Sequence, residues 1–164
     1  MGDVRIRKRR RLRTKDIKAY SEEISSVLGI QVFAEDEPVD LAEGSDFDLL
    51  FVSGSILGMV HEGRAFLTVR GALRYRPESR QVTVDMGAVP FVTKGADVMS
   101  PGVVDADPSI TAGDLVFIRD EKNMVPLAVG ESLMSGEGMV GSDSGKAVRN
   151  VHHVGDRLWK YEEP

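Results

Sequence analysis

Cysteine is absent from the 164 residues of this chain. Its absence excludes a disulfide scaffold, thiolate zinc sites, thiol nucleophiles and dithiol redox motifs, and it suits a reducing compartment. Aromatic residues are scarce, at 6% of the chain, with a single tryptophan. Long apolar runs are missing as well: stretches such as Leu49 to Val52 fall far short of the roughly 18 to 20 residues that cross a bilayer as a helix. The charged N-terminal segment leads into an amphipathic one and not into an apolar core, so it does not read as a signal peptide. These features predict a soluble, cytoplasmic chain holding one domain or two small ones.

What is present is charge, distributed unevenly. The formal net charge is -5, from 21 basic and 26 acidic residues. Residues 1–18 alone carry nine basic groups against two acids, a balance of +7, so the remaining residues sum to -12. From Arg5 to Arg11 six of seven residues are basic. Such a run is usually a solvated face, but it is also the footprint of phosphate contact. Beyond residue 80 the balance is -6, which argues against a basic stripe for duplex binding in that half.

The pattern of apolar residues predicts an α+β fold in two parts, with a boundary near residue 80. Val4 to Arg7 reads as a short strand and the following basic residues as an arm. Thr14 is the expected N-cap of a helix carrying Ile17, Tyr20, Ile24, Val27 and Leu28 at three- and four-residue steps, closed by Gly29. Ile30 to Ala34 reads as a strand and Glu35 to Asp46 as an acidic surface loop. Three strands follow, Phe47 to Val52, Ser55 to Val60 and Ala65 to Val69, separated by the turn pairs Ser53-Gly54 and Glu62-Gly63. The prediction for residues 1–80 is a helix packed on a small antiparallel sheet, ending in a helical turn at Gly71 to Arg76 before Pro77. Residues 81–164 show short strands with closely spaced glycines: Val82 to Val84, Leu115 to Arg119, Pro126 to Met134, Ala147 to Val151 and Arg157 to Trp159. A short helix at Ala88 to Thr93 and a turn at Pro101-Gly102 interrupt them. Turn signals at this spacing predict a small closed barrel or sandwich.

Catalytic and metal-binding readings find little support. Val52-Ser53-Gly54-Ser55 lacks the first glycine of a nucleophile elbow. Adjacent His152 and His153 on a strand point to opposite faces, and His61 is remote from them in sequence. Gly141 to Ala147 fails the phosphate-loop pattern at both ends, with Val140 where a glycine is needed and Ala147 where a hydroxyl is needed. The carboxylate pairs Asp105/Asp107 and Glu35/Asp36 are expected in surface turns and loops, without the burial that acid–base chemistry needs. No metal and no cofactor are expected.

The glycines of the second half form an ordered set. Val84-Asp85-Met86-Gly87-Ala88, Lys94-Gly95-Ala96-Asp97-Val98-Met99-Ser100-Pro101-Gly102-Val103, Gly113-Asp114, Ala128-Val129-Gly130, Gly145-Lys146-Ala147-Val148 and Leu158-Trp159 together resemble a PUA domain. This family comprises small RNA-binding β-barrels, and the resemblance covers about residues 81 to 161. Val84 to Gly102, with Asn150-Val151-His152 and Asp156 to Lys160, is similar more narrowly to the malignant T-cell-amplified and ligatin translation factors, as an archaeal-type stand-alone member. In the first half that similarity rests on Leu12-Arg13-Thr14 and Phe66-Leu67-Thr68-Val69.

The resemblance implies a C-terminal pseudo-barrel of short strands after the N-terminal α+β unit. It further implies a non-catalytic RNA-binding role in translation, on the small ribosomal subunit or at a tRNA acceptor end, alongside a second translation-factor protein. The RNA groove it implies lies along Lys94, Gly95, Ala96, Asp97, Met99, Pro101 and Gly102. There Gly95 and Gly102 would admit a close backbone and Lys94 would meet a phosphate. Arg7, Lys8, Arg9, Arg10 and Arg11 are the expected source of further phosphate affinity. Two alternatives stay open on the residues alone: an accessory tRNA-binding subunit for an RNA-modifying enzyme, and a protein-interaction scaffold with an acidic surface.

Overall fold

The computed structural model describes residues 5–161. The chain divides into two compact units: residues up to Pro77 together with those from Lys160 onward, and Glu78–Trp159.

The first unit is built on a five-stranded antiparallel sheet in the order β1-β2-β3-β4-β5, with β1 at Arg7–Arg11, β2 at Val39–Glu43, β3 at Asp48–Val52, β4 at Ser55–His61 and β5 at Arg64–Leu67. Helix α1, Thr14–Leu28, connects β1 to β2 and buries Ile24 and Leu28. The Glu23 carboxylate accepts from the Ala65 amide at 2.5 Å, tying the helix to β5. Both hairpin turns place their central pair at positive φ, Ser53 at 51° with Gly54 at 90° and Glu62 at 51° with Gly63 at 77°. This is the twist that matches tightly paired strands, and it explains a glycine in each pair. The short helix α2, Val69–Tyr75, is capped by Thr68, whose buried hydroxyl accepts from Gly71 N at 3.1 Å and donates to Ile56 O at 2.8 Å.

The basic run is not a free arm. Residues Arg7–Arg11 are the edge strand β1, paired antiparallel with β2 through a bulge between Arg7 and Arg10, where Lys8 has a φ of 53°. Its cations meet acids on the neighbouring strand: Arg9 and Arg11 reach Asp40 at 2.9 and 2.5 Å, and Arg7 and Lys8 reach Glu43, each at 3.6 Å. The Arg9 guanidinium also lies 4.0 Å from the centroid of the Phe51 ring. The acidic stretch expected to be a loop supplies these partners, because Val39 and Ala42 bury into the core and make it strand β2. Val4, the start of the expected first strand, lies outside the described residues.

Three further expectations are corrected. Arg13, not Thr14, occupies the N-cap of α1, with no side-chain bond at that position. Ile30 to Ala34 is not a strand: Phe33 adopts a φ of 55° and its amide donates to the Tyr75 hydroxyl at 3.3 Å, so Val32 and Phe33 bury from an irregular segment. Arg157 to Trp159 belongs to a helical turn, α5 (Arg157–Lys160), because Asp156 accepts from the Trp159 amide at 2.9 Å and so caps the turn.

The second unit is a mixed, barrel-like six-stranded sheet in the order β7-β11-β10-β9-β6-β8. Its strands are β6 Gln81–Val84, β7 Val98–Met99, β8 Val103–Ala106, β9 Leu115–Asp120, β10 Pro126–Ser132 and β11 Lys146–His153. Only β6 and β9 run parallel. The core is small and aliphatic, with Val82, Val84, Val92, Ile110, Val116, Ile118, Ala128, Met139 and Val148 at its centre. Two elements escape sequence reading: β8, which takes Asp105 out of the expected turn, and helix α4 at Gly136–Gly141, which buries Met139. Both are short and glycine- or acid-rich, so their burial rather than their pattern defines them.

Asp40 anchors the basic strand and is nearly buried. Burial pushes its carboxyl up, but the hydrogen bonds from Arg11 and Arg9 outweigh that and hold it below the ordinary value. Stabilisation from a depressed carboxyl is present above the unfolded pKa, here 3.8, and is lost as pH falls through the folded value. The expected outcome for Asp40→Asn is a loss of about 1 kcal/mol at neutral pH. In thermal melts, the gap to wild type should close as the medium is acidified below the ordinary carboxylate range.

Candidate functional site

The stretch from Asp85 to Gly102 carries most of the site residues expected from sequence, and its geometry follows from local hydrogen bonding. Asp85 opens it, with its carboxylate accepting from the Ala88 amide at 2.8 Å and its own amide donating to Gly102 O at 2.9 Å. The second bond closes the segment into a loop. Pro90 stands in the first turn of α3, Val89–Val92, where its missing N–H costs nothing.

The helical turn ends in a Schellman arrangement. Ala96 N donates to Phe91 O and Gly95 N to Val92 O, both at 3.0 Å, which requires the residue between to take a left-handed backbone. Gly95 does so, with a φ of +95°, and a Cβ there would stand 3.1 Å from His153 Nε2. Gly102 is different: a Cβ would make ordinary contact with Ala88 at 3.4 Å. The glycine there is not required by backbone geometry.

The loop is fastened to β11 by two side chains. Asn150 donates through Nδ2 to Val92 O at 3.2 Å and Ala96 O at 3.1 Å, while its backbone amide donates to Asp97 Oδ1 at 2.9 Å. Asp97 Oδ2 accepts from Lys146 Nζ at 3.1 Å. The amide of Asn150 is the main reason the Asp97 carboxyl lies below its ordinary value, and Lys146 adds to it against the opposing effect of burial. Asp97 is therefore an internal ligand of the loop and Lys146 its counter-ion. Farther along β11, His152 is buried and its Nδ1 lies 2.8 Å from Asp156 Oδ2. His153 Nδ1 bonds Val154 O. The two rings have separate partners, while the His153 backbone amide donates to the same Asp156 Oδ2 at 2.9 Å.

On this fixed frame the outward groups are few. Lys94 is exposed and has no ion-pair partner among the described residues. Ala96 and Pro101 are exposed beside it, Gly95 and Gly102 partly so, and Met99 is 48% exposed. Residues Arg7 to Arg11, expected to act together with the loop, sit in the other compact unit. Two contributors are absent from the expected set. Asn150 makes the clip; in the sequence it belongs to the Asn150-Val151-His152 resemblance, which does not reveal the carbonyls it binds. Phe91 is 66% exposed, which is notable in a chain with so few aromatics.

A small barrel-like module with a rigid, outward loop, attached to an α+β unit, is the class of protein these features define. The PUA domain pattern matches residues 80–154. An uncharacterised protein of Methanocaldococcus jannaschii is 35% identical over 97% of this chain and 99% of its own length. Translation machinery-associated protein 20 of Saccharomyces cerevisiae is 28% identical over 93% of this chain and 87% of its own. Malignant T-cell-amplified sequence 1-A of Xenopus laevis is 28% identical over 79% and 74%. Among solved structures, a hypothetical protein of Pyrococcus horikoshii superposes with a TM-score of 0.80 at 33% identity, covering 93% of this chain and 98% of that one. The chain belongs to the PUA-domain proteins, with relatives among the translation machinery-associated and malignant T-cell-amplified proteins.

Removing the clip tests how the loop is held. Asn150→Ala deprives the Ala96 carbonyl of its donor, while Val92 keeps Gly95 N, so a loss of about 1–2 kcal/mol is expected in the unfolding of the barrel. Gly95→Ala is expected to cost a similar amount, about 1–2 kcal/mol, from the left-handed backbone alone. Gly102→Ala should be nearly silent in the same melting experiment.

Proposed function

We propose that this protein is a non-catalytic RNA-binding factor of translation. In this reading it acts in the cytoplasm on the small ribosomal subunit or at a tRNA acceptor end, in initiation or recycling, together with a second translation-factor protein. The PUA match supports RNA as the ligand, and the translation-machinery relatives support translation as the setting. The observation that carries the reading is the loop from Ala88 to Gly102, held rigid from within while Lys94 stays unpaired at its surface. A fixed loop with one free cation recognises local shape and a phosphate without ordering cost on binding. Lys94, Gly95, Ala96, Met99, Pro101 and Gly102 form the contact surface, and Asp97 positions it.

The basic strand takes a different share from the one its composition suggests. Two acids, Asp40 and Glu43, hold four of its five cations, so the strand offers about three net charges to phosphate and not five. Arg10 is its cation without an ion-pair partner among the described residues. Fewer counterions are then released than the run implies.

Co-sedimentation of the full chain with purified small ribosomal subunits tests the proposal. Binding that weakens steeply as salt rises is expected, and no binding at low salt would exclude it. Replacing Arg7 through Arg11 with serine should reduce the slope of log affinity against log salt by about 2–3. Lys94→Gln should reduce it by about 1.

A further inference from the structure

The two edges of the first sheet are finished differently. At β5 the outward amide of Ala65 is taken by the Glu23 carboxylate, so helix α1 closes that edge. At β1 all five residues are exposed, and among the described residues no strand pairs with its outer side. Leu12 N donates to Val39 O at 2.9 Å, and Arg10 and Arg11 stand opposite Leu41 and Asp40. Backbone groups of an antiparallel strand point alternately to its two sides, so the N–H and C=O of Arg11 face away from β2. An outward donor and acceptor on an exposed edge are a template for one more strand.

The composition of this edge selects what docks there. Five consecutive cations repel a second β1, since identical edges would set like charges opposite each other. The strand that does pair with β1 shows the complementary chemistry: β2 carries Asp40 and Glu43, and each of these acids meets two cations of β1. Five cations against two acids still leave a balance of +3 on the pair, and Arg10 has no ion-pair partner among the described residues. A strand laid on the outer side would bring its side chains about 4.5–5.5 Å from those directly opposite on β1. At that spacing carboxylates are favoured and further cations are rejected.

Phosphate uses such an edge only in part. Its oxygens accept from the Arg11 amide or from guanidinium groups, but they have nothing to donate to the Arg11 carbonyl. An extended polypeptide supplies a donor and an acceptor at every second residue, in the spacing of the ladder. The bulge between Arg7 and Arg10, where Lys8 has a φ of 53°, interrupts the regular pairing. The docked segment is therefore short and runs alongside Arg10 to Leu12.

We propose that the outer edge of β1 is a docking site for an extended acidic segment of a partner protein, which joins the first sheet as an added strand, pairing its backbone with Arg11 and its carboxylates with the cations of β1. The site is in the other compact unit from the barrel loop, and it does not depend on the RNA reading. An acidic strand seated there takes up cations otherwise offered to phosphate, so the two ligands exclude each other on β1.

A labelled peptide of alternating glutamate and valine, titrated with the full chain and read by fluorescence anisotropy, tests the proposal. Two companions are used: the same peptide with its backbone nitrogens methylated, which keeps the charge and removes the donors, and a version with lysine for glutamate. The acidic peptide should bind, methylation should weaken it about tenfold through the lost ladder bonds, and the lysine version should not bind. Hydrogen exchange of the Arg11 amide, followed by NMR, should slow about tenfold or more when the acidic peptide is bound. Arg10→Ser should weaken the peptide about threefold and melt like wild type, because no ion pair is lost with it. Equal binding of the methylated peptide, or an Arg11 amide left unprotected by bound peptide, would reduce the edge to a patch of charge and overturn the proposal. So would the absence of peptide binding at low salt. A single-stranded RNA that protects the Arg11 amide where the peptide does not would assign the edge to RNA and overturn it as well.

Discussion

The clip between β11 and the loop of the barrel unit is the constraint on which the outward face of that loop depends. Asn150 donates its side-chain amide to the last carbonyl of the α3 turn, Val92 O, and to Ala96 O just beyond it, and its backbone amide to Asp97. A four-residue helix cannot hold itself, since it forms too few internal bonds to repay its nucleation. Here the missing bonds come from outside the helix, from a strand that is itself fixed on β10 and β7. The loop thereby inherits the rigidity of the sheet. Everything presented outward, Phe91, Lys94 and Met99, is presented on that fixed surface.

Electrostatics in the two units follows opposite rules. In the first unit, cations and acids are close neighbours across β1 and β2, and much of the local positive charge is neutralised within the sheet. A strand rich in cations on an open edge also discourages pairing with another copy, because identical edges would bring like charges together. In the second unit the overall balance is acidic, yet the loop keeps one lysine free. Positive charge is therefore spread along a strand in one unit and confined to a single exposed lysine of the loop in the other.

Legibility varied with the kind of signal. The hairpins of the first unit were readable because Ser53-Gly54 and Glu62-Gly63 are residue pairs that only a particular turn accommodates. The α3 turn was readable from Pro90 and Gly95 for the same reason, and Asp85, Gly95 and Gly145 carried the family resemblance. Strand β2 was not readable. Val-Asp-Leu-Ala-Glu beside a proline and an acidic cluster looks like a loop until Val39 and Ala42 are seen to complete a core. The Asp156 cap was missed because a capping bond looks, in sequence, like any acid near an arginine. Asn150 illustrates the general case: its importance lies wholly in two carbonyls more than fifty residues away.

Sequence by itself determined the α+β composition, the PUA resemblance, the separation of charge along the chain and the positions where backbone geometry demands glycine. Each of these is local or additive, so it survives in a one-dimensional record. Tertiary structure alone decided how much of that charge is free and which loop residues face outward. It also decided what holds the loop and that an aromatic ring stands beside the one unpaired lysine there. Those properties depend on partners distant along the chain, and a charge or a ring acquires its energy only from the neighbours that folding places around it.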